Sequence, residues 1–259
     1  EGKSKKENTV YSEYKERYDS LLHSIPNLPF SNIWVAQQLS GQLPENSVLH
    51  LGIRNSLRSW GYFDIPNSVL SYCNTGGFGI DGGISSLIGA SMVNQQSLFF
   101  GVFGDLLFFY DMNSLGNRDI KPNLRIIVIN NGLGQEFKNV SFPGSLVFGD
   151  DIDKFTAAKG HFACQSKTLV KDYAENLGFE YLTASNKEEF AEVYKRFISK
   201  ELTERPMLFE IFTDTKDETQ ANYSITSIEL KSKFVRKVHD TLMKPELVAV
   251  KNLAKKIVK

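Results

Sequence analysis

The residues of this chain best suited to chemistry are two pairs, Gly104-Asp105 and Asn130-Asn131, each at the end of an apolar run. Asp105 offers a carboxylate and Asn131 a neutral amide oxygen. Behind them Gly132-Leu133-Gly134 can turn a backbone carbonyl, most simply that of Leu133, toward the same point. Such oxygens suit Mg2+, which takes about six ligands in an octahedron and usually fills its shell with phosphate oxygens and water. One carboxylate and two neutral oxygens leave a 2+ ion net positive, so a diphosphate is the fitting anion. A helix starting at Leu106 would aim backbone N–H groups at it. Each pair also has a plainer reading, because Asp after a strand is a frequent helix cap and Asn-Asn-Gly a frequent turn. Together, at this spacing, they favour the metal-diphosphate site.

The elements that must position these residues alternate between strand and helix, without internal repeats or low-complexity linkers. Strands are predicted at 47–51, 69–73, 98–103, 124–129, 179–183 and 207–213. Helices are predicted at 9–24, 31–43 with Ser31 as N-cap, 82–95, 106–117, 166–177, 186–199 and 217–242. That rhythm predicts an α/β fold, a three-layer αβα arrangement around a mostly parallel sheet of about six strands. Ligands of such sheets sit at the carboxyl ends of the strands, where Asp105 and Asn131 fall. Residues 131–150 show no clear periodicity, and long loops of that kind are often functional.

Composition narrows the function classes. Thirty basic and thirty acidic residues balance, which argues against a nucleic-acid or membrane-surface footprint. The apolar stretch 98–110 is broken by Asp105 and is shorter than the roughly 20 residues of a spanning helix. Cys73 and Cys164 stand apart, with no CxxC or Cys/His cluster, so neither a disulfide framework nor a zinc site is expected and a cytoplasmic setting fits. The first residues carry neither a signal core nor an initiator Met, as in a piece cut from a longer chain.

A rival pattern lies in Gly77-Phe78-Gly79-Ile80-Asp81-Gly82, a GxGxxG that follows a strand, with Asp105 further on. It is a weak dinucleotide (NAD) fingerprint, and it leaves Asn130-Asn131 unexplained. No Walker A loop is present.

Gly104-Asp105 followed by Asn130-Asn131 resembles the metal-diphosphate motif of thiamine-diphosphate enzymes, written GDG…NN, with Leu106 where a third glycine commonly stands. The order Asn55-Ser56, Asn74, Gly79-Ile80-Asp81-Gly82, Gly104-Asp105-Leu106, Asn130-Asn131-Gly132, Phe209-Glu210 and Thr213-Asp214 is similar to the C-terminal domain of the 2-succinyl-5-enolpyruvyl-6-hydroxy-3-cyclohexene-1-carboxylate synthase family. The resemblance runs from about Phe30 to Gln220. It implies that Asp105, Asn131 and the Leu133 carbonyl hold Mg2+. It further implies that Asn74, Gly79, Ile80, Gly104, Leu106 and Gly134 line the cofactor. Ile80 would press the pyrimidine amino group against the thiazolium C2, which makes it the catalytic candidate. Residues 1–27 would be a connector and 28–259 the diphosphate-binding domain, inactive without a separate pyrimidine-binding domain that brings a glutamate. The intact protein would be a homodimer or homotetramer acting on a 2-oxoacid by decarboxylation and carboligation. A noncatalytic ligand-binding module of the same fold is the alternative.

Two positions depart from that family. Arginines that grip substrate carboxylates there fall at Trp60 and Thr75 here, and neither can form a bidentate pair. Trp60-Gly61-Tyr62-Phe63 is instead expected to form an aromatic wall, and Arg54 and Arg58 are nearby substitutes. His161 is a lesser substrate-facing candidate, Glu210 is given no catalytic role, and the tail 242–259 is a possible lid.

Overall fold

A computed structural model describes residues 9–76, 79–139, 142–156 and 166–228. The described chain runs α1 (Thr9–His23), α2 (Asn32–Leu39), β1 (Val48–Leu51), α3 (Asn55–Trp60), β2 (Leu70–Cys73), α4 (Gly83–Val93), β3 (Phe99–Gly104) and α5 (Asp105–Asp111). It continues through β4 (Leu124–Asn130), α6 (Pro143–Phe148), α7 (Leu169–Asn176), β5 (Glu180–Ala184), α8 (Lys187–Phe197), β6 (Met207–Phe212) and α9 (Thr215–Thr226). Two compact units are present. One is Leu28–Asn222; the other holds the described residues of the two terminal segments, 9–27 and 223–228.

Within Leu28–Asn222 the six strands form one sheet in the order β2-β1-β3-β4-β6-β5, and every pairing is parallel. All six predicted strands are present, with ends shifted by one residue. β4 explains why the apolar runs were so continuous: every residue of it is buried, because a parallel sheet is covered on both faces. Ile127 and Ile129 point into one core with Val35, Leu39, Phe190 and Phe197, residues of α2 and α8. Ile126 and Val128 point into another with Leu87, Leu107 and Val170, from α4, α5 and α7. The alternation is that of a strand, and the two cores are the seams of a three-layer αβα sandwich.

Local signals set the helix starts. The Ser31 Oγ accepts from Trp34 N at 3.2 Å, as expected of an N-cap, and Asn186 does the same for Glu189 N at 2.8 Å. Gly101 is required by packing, since a Cβ there would stand 2.5 Å from the Leu87 side chain. At the amino end of β4, the buried Arg125 guanidinium donates to the carbonyls of Phe197, Ser199 and Glu201. Phe197 ends α8, so its carbonyl has no partner within the helix, and Ser199 and Glu201 follow just beyond it. α3 was not predicted; its six residues lack a side-chain N-cap. The unperiodic stretch after β4 folds into α6 and two short turns of tighter helix. The predicted helix 217–242 is described only as far as Thr226, and its remainder, His161 and the tail 242–259 lie outside the described residues. Among the described residues no helix is long and apolar enough to cross a membrane.

Candidate cofactor site

The β3–β4 register pairs Gly104 with Ile129, so Asp105 and Asn130 leave the sheet side by side at its carboxyl edge. Reversals of strand order flank them, at β1/β3 and at β4/β6, which is where open α/β sheets hold ligands. Asp105 is 2% exposed. Its Oδ1 accepts from Leu106 N at 2.9 Å and its Oδ2 from Gly132 N at 2.6 Å. The second bond exists because Gly132 adopts φ 77, a left-handed conformation that favours glycine. The carboxylate therefore staples the end of β3 to the loop after β4.

The same loop orders the other two oxygens assigned to the metal. Asn131 Oδ1 accepts from Leu133 N at 3.2 Å, and the Leu133 carbonyl accepts from Gln135 N at 3.0 Å. The turn chemistry expected of Asn-Asn-Gly is thus realised in this segment. Carboxylate and carbonyl oxygens each have a second lone pair, so these groups suit a hard divalent cation while keeping their backbone partners. The loop is tied down further on. Gln135 Nε2 donates to Thr219 Oγ1 at 3.1 Å, and Glu136 forms an ion pair with Arg58.

Room for an anion lies beside this edge, since a Cβ on Gly104 would meet nothing within 4 Å. Gly134 is crowded instead: a Cβ there would come 2.9 Å from the Phe137 ring and 3.2 Å from Leu106 Cδ1. Leu106 and Gly134 are therefore packed together under the loop. Among the described residues no three His, Cys, Asp or Glu cluster as a metal site, so a cation here would rest on one carboxylate and neutral oxygens. A cavity of about 400 Å3 between α4 and the turn after α5 is lined by none of these residues.

The other candidates lie around the start of α4. Ile80 is partly buried against the core that holds Leu107. A Cβ on Gly83 would touch Leu107 at 3.1 Å, which places this turn next to α5. Gly79 is half-buried, and a Cβ there would stand 2.3 Å from Asp81 Oδ1. Asn74 Nδ2 donates to the Gly82 carbonyl at 3.1 Å and to Ser86 Oγ at 2.9 Å. Gly77 and Phe78 lie outside the described residues. The dinucleotide reading fits poorly, because the acidic partner should end the neighbouring strand, whereas β1 separates β2 from β3.

The aromatic wall does not form as expected. Trp60 is 2% exposed and sits in the core with Phe63 packed against it, because α3 turns that face onto the sheet. Tyr62 is near Arg58 and Glu136, and burial raises its hydroxyl pKa.

Two acids without a role in the sequence reading are buried and hydrogen-bonded. Glu210, in mid β6, is 1% exposed. Its Oε1 accepts from Asn130 Nδ2 at 2.6 Å and its Oε2 from Tyr181 OH at 2.6 Å. Burial raises its pKa; the Tyr181 and Asn130 hydrogen bonds and the Lys167 charge oppose the rise, and Asp105 adds to it. Burial and the bond to Glu210 push the Tyr181 hydroxyl up strongly, keeping it a donor. Glu218 on α9 accepts from Asn32 N at 2.9 Å and Thr213 Oγ1 at 2.7 Å, and burial pushes it up to about 7. The signal for Glu210 was a lone acid within the apolar Met207-Leu208-Phe209-Glu210-Ile211-Phe212. Glu218 had no signal, since it lies on a polar helix.

Known proteins resemble this chain in sequence and in fold. The 2-succinyl-5-enolpyruvyl-6-hydroxy-3-cyclohexene-1-carboxylate synthase of Phocaeicola vulgatus is 36% identical over 195 residues, 75% of this chain and 33% of the relative. That of Bacteroides thetaiotaomicron is 34% identical over 210 residues, 80% of this chain and 36% of the relative. The chain is a homologue of these synthases. It spans about a third of the length of the curated relatives it matches. No family model matches. A thiamine diphosphate-dependent 4-hydroxybenzoylformate decarboxylase of Rhodococcus jostii shares the fold, with TM-score 0.55 and 16% identity over 73% of this chain and 33% of that one. The fold is thus one that a thiamine diphosphate-dependent enzyme also has.

Proposed function

We propose that the synthase homologue binds the diphosphate of thiamine diphosphate through Mg2+ held by Asp105, Asn131 and the Leu133 carbonyl. We further propose that it serves a cytoplasmic 2-oxoacid decarboxylase or carboligase. The observation that supports this reading is the Gly132 N–H···Asp105 bond of 2.6 Å, which ties the Asp105 carboxylate to the loop that carries Asn131 and Leu133, at a strand edge where Gly104 leaves room. When bound, thiamine diphosphate supplies a nucleophilic carbon for attack on a 2-oxoacid carbonyl. Asp105 and the 131–135 loop would hold the cation, and Ile80 would present an aliphatic surface to the cofactor. Asn74 fixes the start of α4 on which Gly79 and Ile80 depend.

A pyrimidine-binding domain bearing a glutamate is needed to activate the cofactor, which makes this chain inactive alone and the intact protein a homodimer or homotetramer. Trp60 is buried in the core and Thr75 is exposed, so the carboxylate clamp of the synthases has no arginine at either position. A substrate different from theirs follows.

Thermal denaturation tests the cofactor assignment. A ligand at about 100 times its Kd adds about 2.7 kcal/mol, or roughly 5–10 °C in a domain of this size. Thiamine diphosphate with Mg2+ should give a shift of that order, Asp105→Ala should abolish it, and NADH should give none. A melting point unmoved by millimolar cofactor and Mg2+, or an Asp105→Ala protein that responds like the parent, would sink the reading.

A further inference from the structure

Asn130 stands beside the proposed cation ligand Asn131, yet its own side chain is buried, at 1% exposure. Its amide nitrogen is spoken for, donating to Glu210 Oε1 at 2.6 Å. Its Oδ1 is buried without a hydrogen-bond partner among the described residues. Leaving a buried carbonyl oxygen unmatched costs about 1–3 kcal/mol, and turning the amide over would not remove the cost. The oxygen would then face a carboxylate, which accepts hydrogen bonds but cannot donate when ionised. Tyr181 closes the arrangement by donating to the other Glu210 oxygen at 2.6 Å.

Strand parity puts Asn130 and Glu210 on one face. Val128 pairs with Glu210 and Asn130 with Phe212, so Asn130 and Glu210 both project toward the layer of α4, α5 and α7. Asp105 follows Phe103, which is in the same core. Asn130 therefore lies between the two acids, Asp105 on the β3 side and Glu210 on the β6 side, and these are close enough to influence each other.

We infer that Glu210, itself held by Tyr181, is a positioning residue that locks the Asn130 amide with its oxygen outward, as an acceptor for a water in the shell of the bound divalent cation. Mg2+ usually retains several waters in such sites, and a cation-bound water is a strong donor in need of an acceptor. The inference rests on the metal-diphosphate reading above, and the test separates the two.

Mn2+ in place of Mg2+, with thiamine diphosphate at fixed concentration, gives a readout independent of turnover, because the electron paramagnetic resonance signal of unbound Mn2+ reports the bound fraction. In Glu210→Gln the new amide can donate to Asn130 and let it turn over, so Mn2+ affinity should fall ten- to a hundred-fold, as for outer-shell partners elsewhere. Tyr181→Phe should lower it by a smaller factor. The swapped pair Asn130→Asp with Glu210→Gln restores both a donor–acceptor bond and an outward acceptor oxygen, and should recover most of the affinity; lost packing alone would not be rescued so. Parental affinity in Glu210→Gln, or no recovery in the folded swapped pair, overturns the inference. If Glu210→Gln does not fold, parental affinity in Tyr181→Phe overturns it. Asp105→Asn is the control: if it binds Mn2+ like the parent, the metal site itself is wrong, whereas its failure together with parental binding in Glu210→Gln removes only the positioning role.

Discussion

The two ends of the proposed cofactor site are built differently. The diphosphate end hangs from β3 and β4, central strands buried on both faces, and its loop is held by Asp105, Gln135 and the Arg58–Glu136 pair. The end near Asn74, Gly79 and Ile80 follows β2, an edge strand in which Leu70, Ser71 and Tyr72 are exposed. One end is finished by the chain's own core. The other is an exposed edge.

Three measurements press on that contrast. The largest effect concerns Glu218, a buried acid near the diphosphate end. Its folded pKa, pushed by burial up to about 7 from the 4.5 of an ordinary glutamate, means the native state binds the proton more tightly than the unfolded chain. The stabilisation is full below about 4.5 and is lost as pH rises through about 7, on the order of a few kcal/mol across the window. Urea denaturation at pH 5 and pH 8 should show the fall, and Glu218→Gln, which keeps an acceptor for Asn32 and Thr213, should flatten it; an equally steep Gln variant would break the assignment. Next, Gly101→Ala in β3 forces a methyl against Leu87 and should cost about 1–3 kcal/mol, visible as a lower urea midpoint. The smallest effect is expected at the edge: Tyr72→Thr, at a side chain 56% exposed, should change stability by no more than about 0.5 kcal/mol. A large loss there would mean that β2 is supported within this chain after all.

What was legible in the sequence follows from the same contrast. Buried parallel strands announce themselves as unbroken apolar runs, so β3, β4 and β6 and the residues at their ends were readable, Asp105 and Asn131 among them. α3 was not, because its start depends on Arg54 at φ 69, a backbone conformation imposed by tertiary context. Trp60 was misplaced as a wall because an aromatic cluster does not say which way a short helix turns. Glu210 was quoted but given no role: that its carboxylate meets Asn130 depends on β6 lying beside β4, and strand order is not written in any local pattern.

Arg125 gives β4 a further property. The guanidinium fastens the start of the strand to the 197–201 carbonyls, and Asn130 fastens its last residue to Glu210. A strand clamped at both ends by side chains of fixed reach cannot slide along its neighbours: moving by one residue would break both clamps and turn its apolar set over to the wrong faces. The loop that carries Asn131 is thus indexed to the sheet like a mark on a ruler.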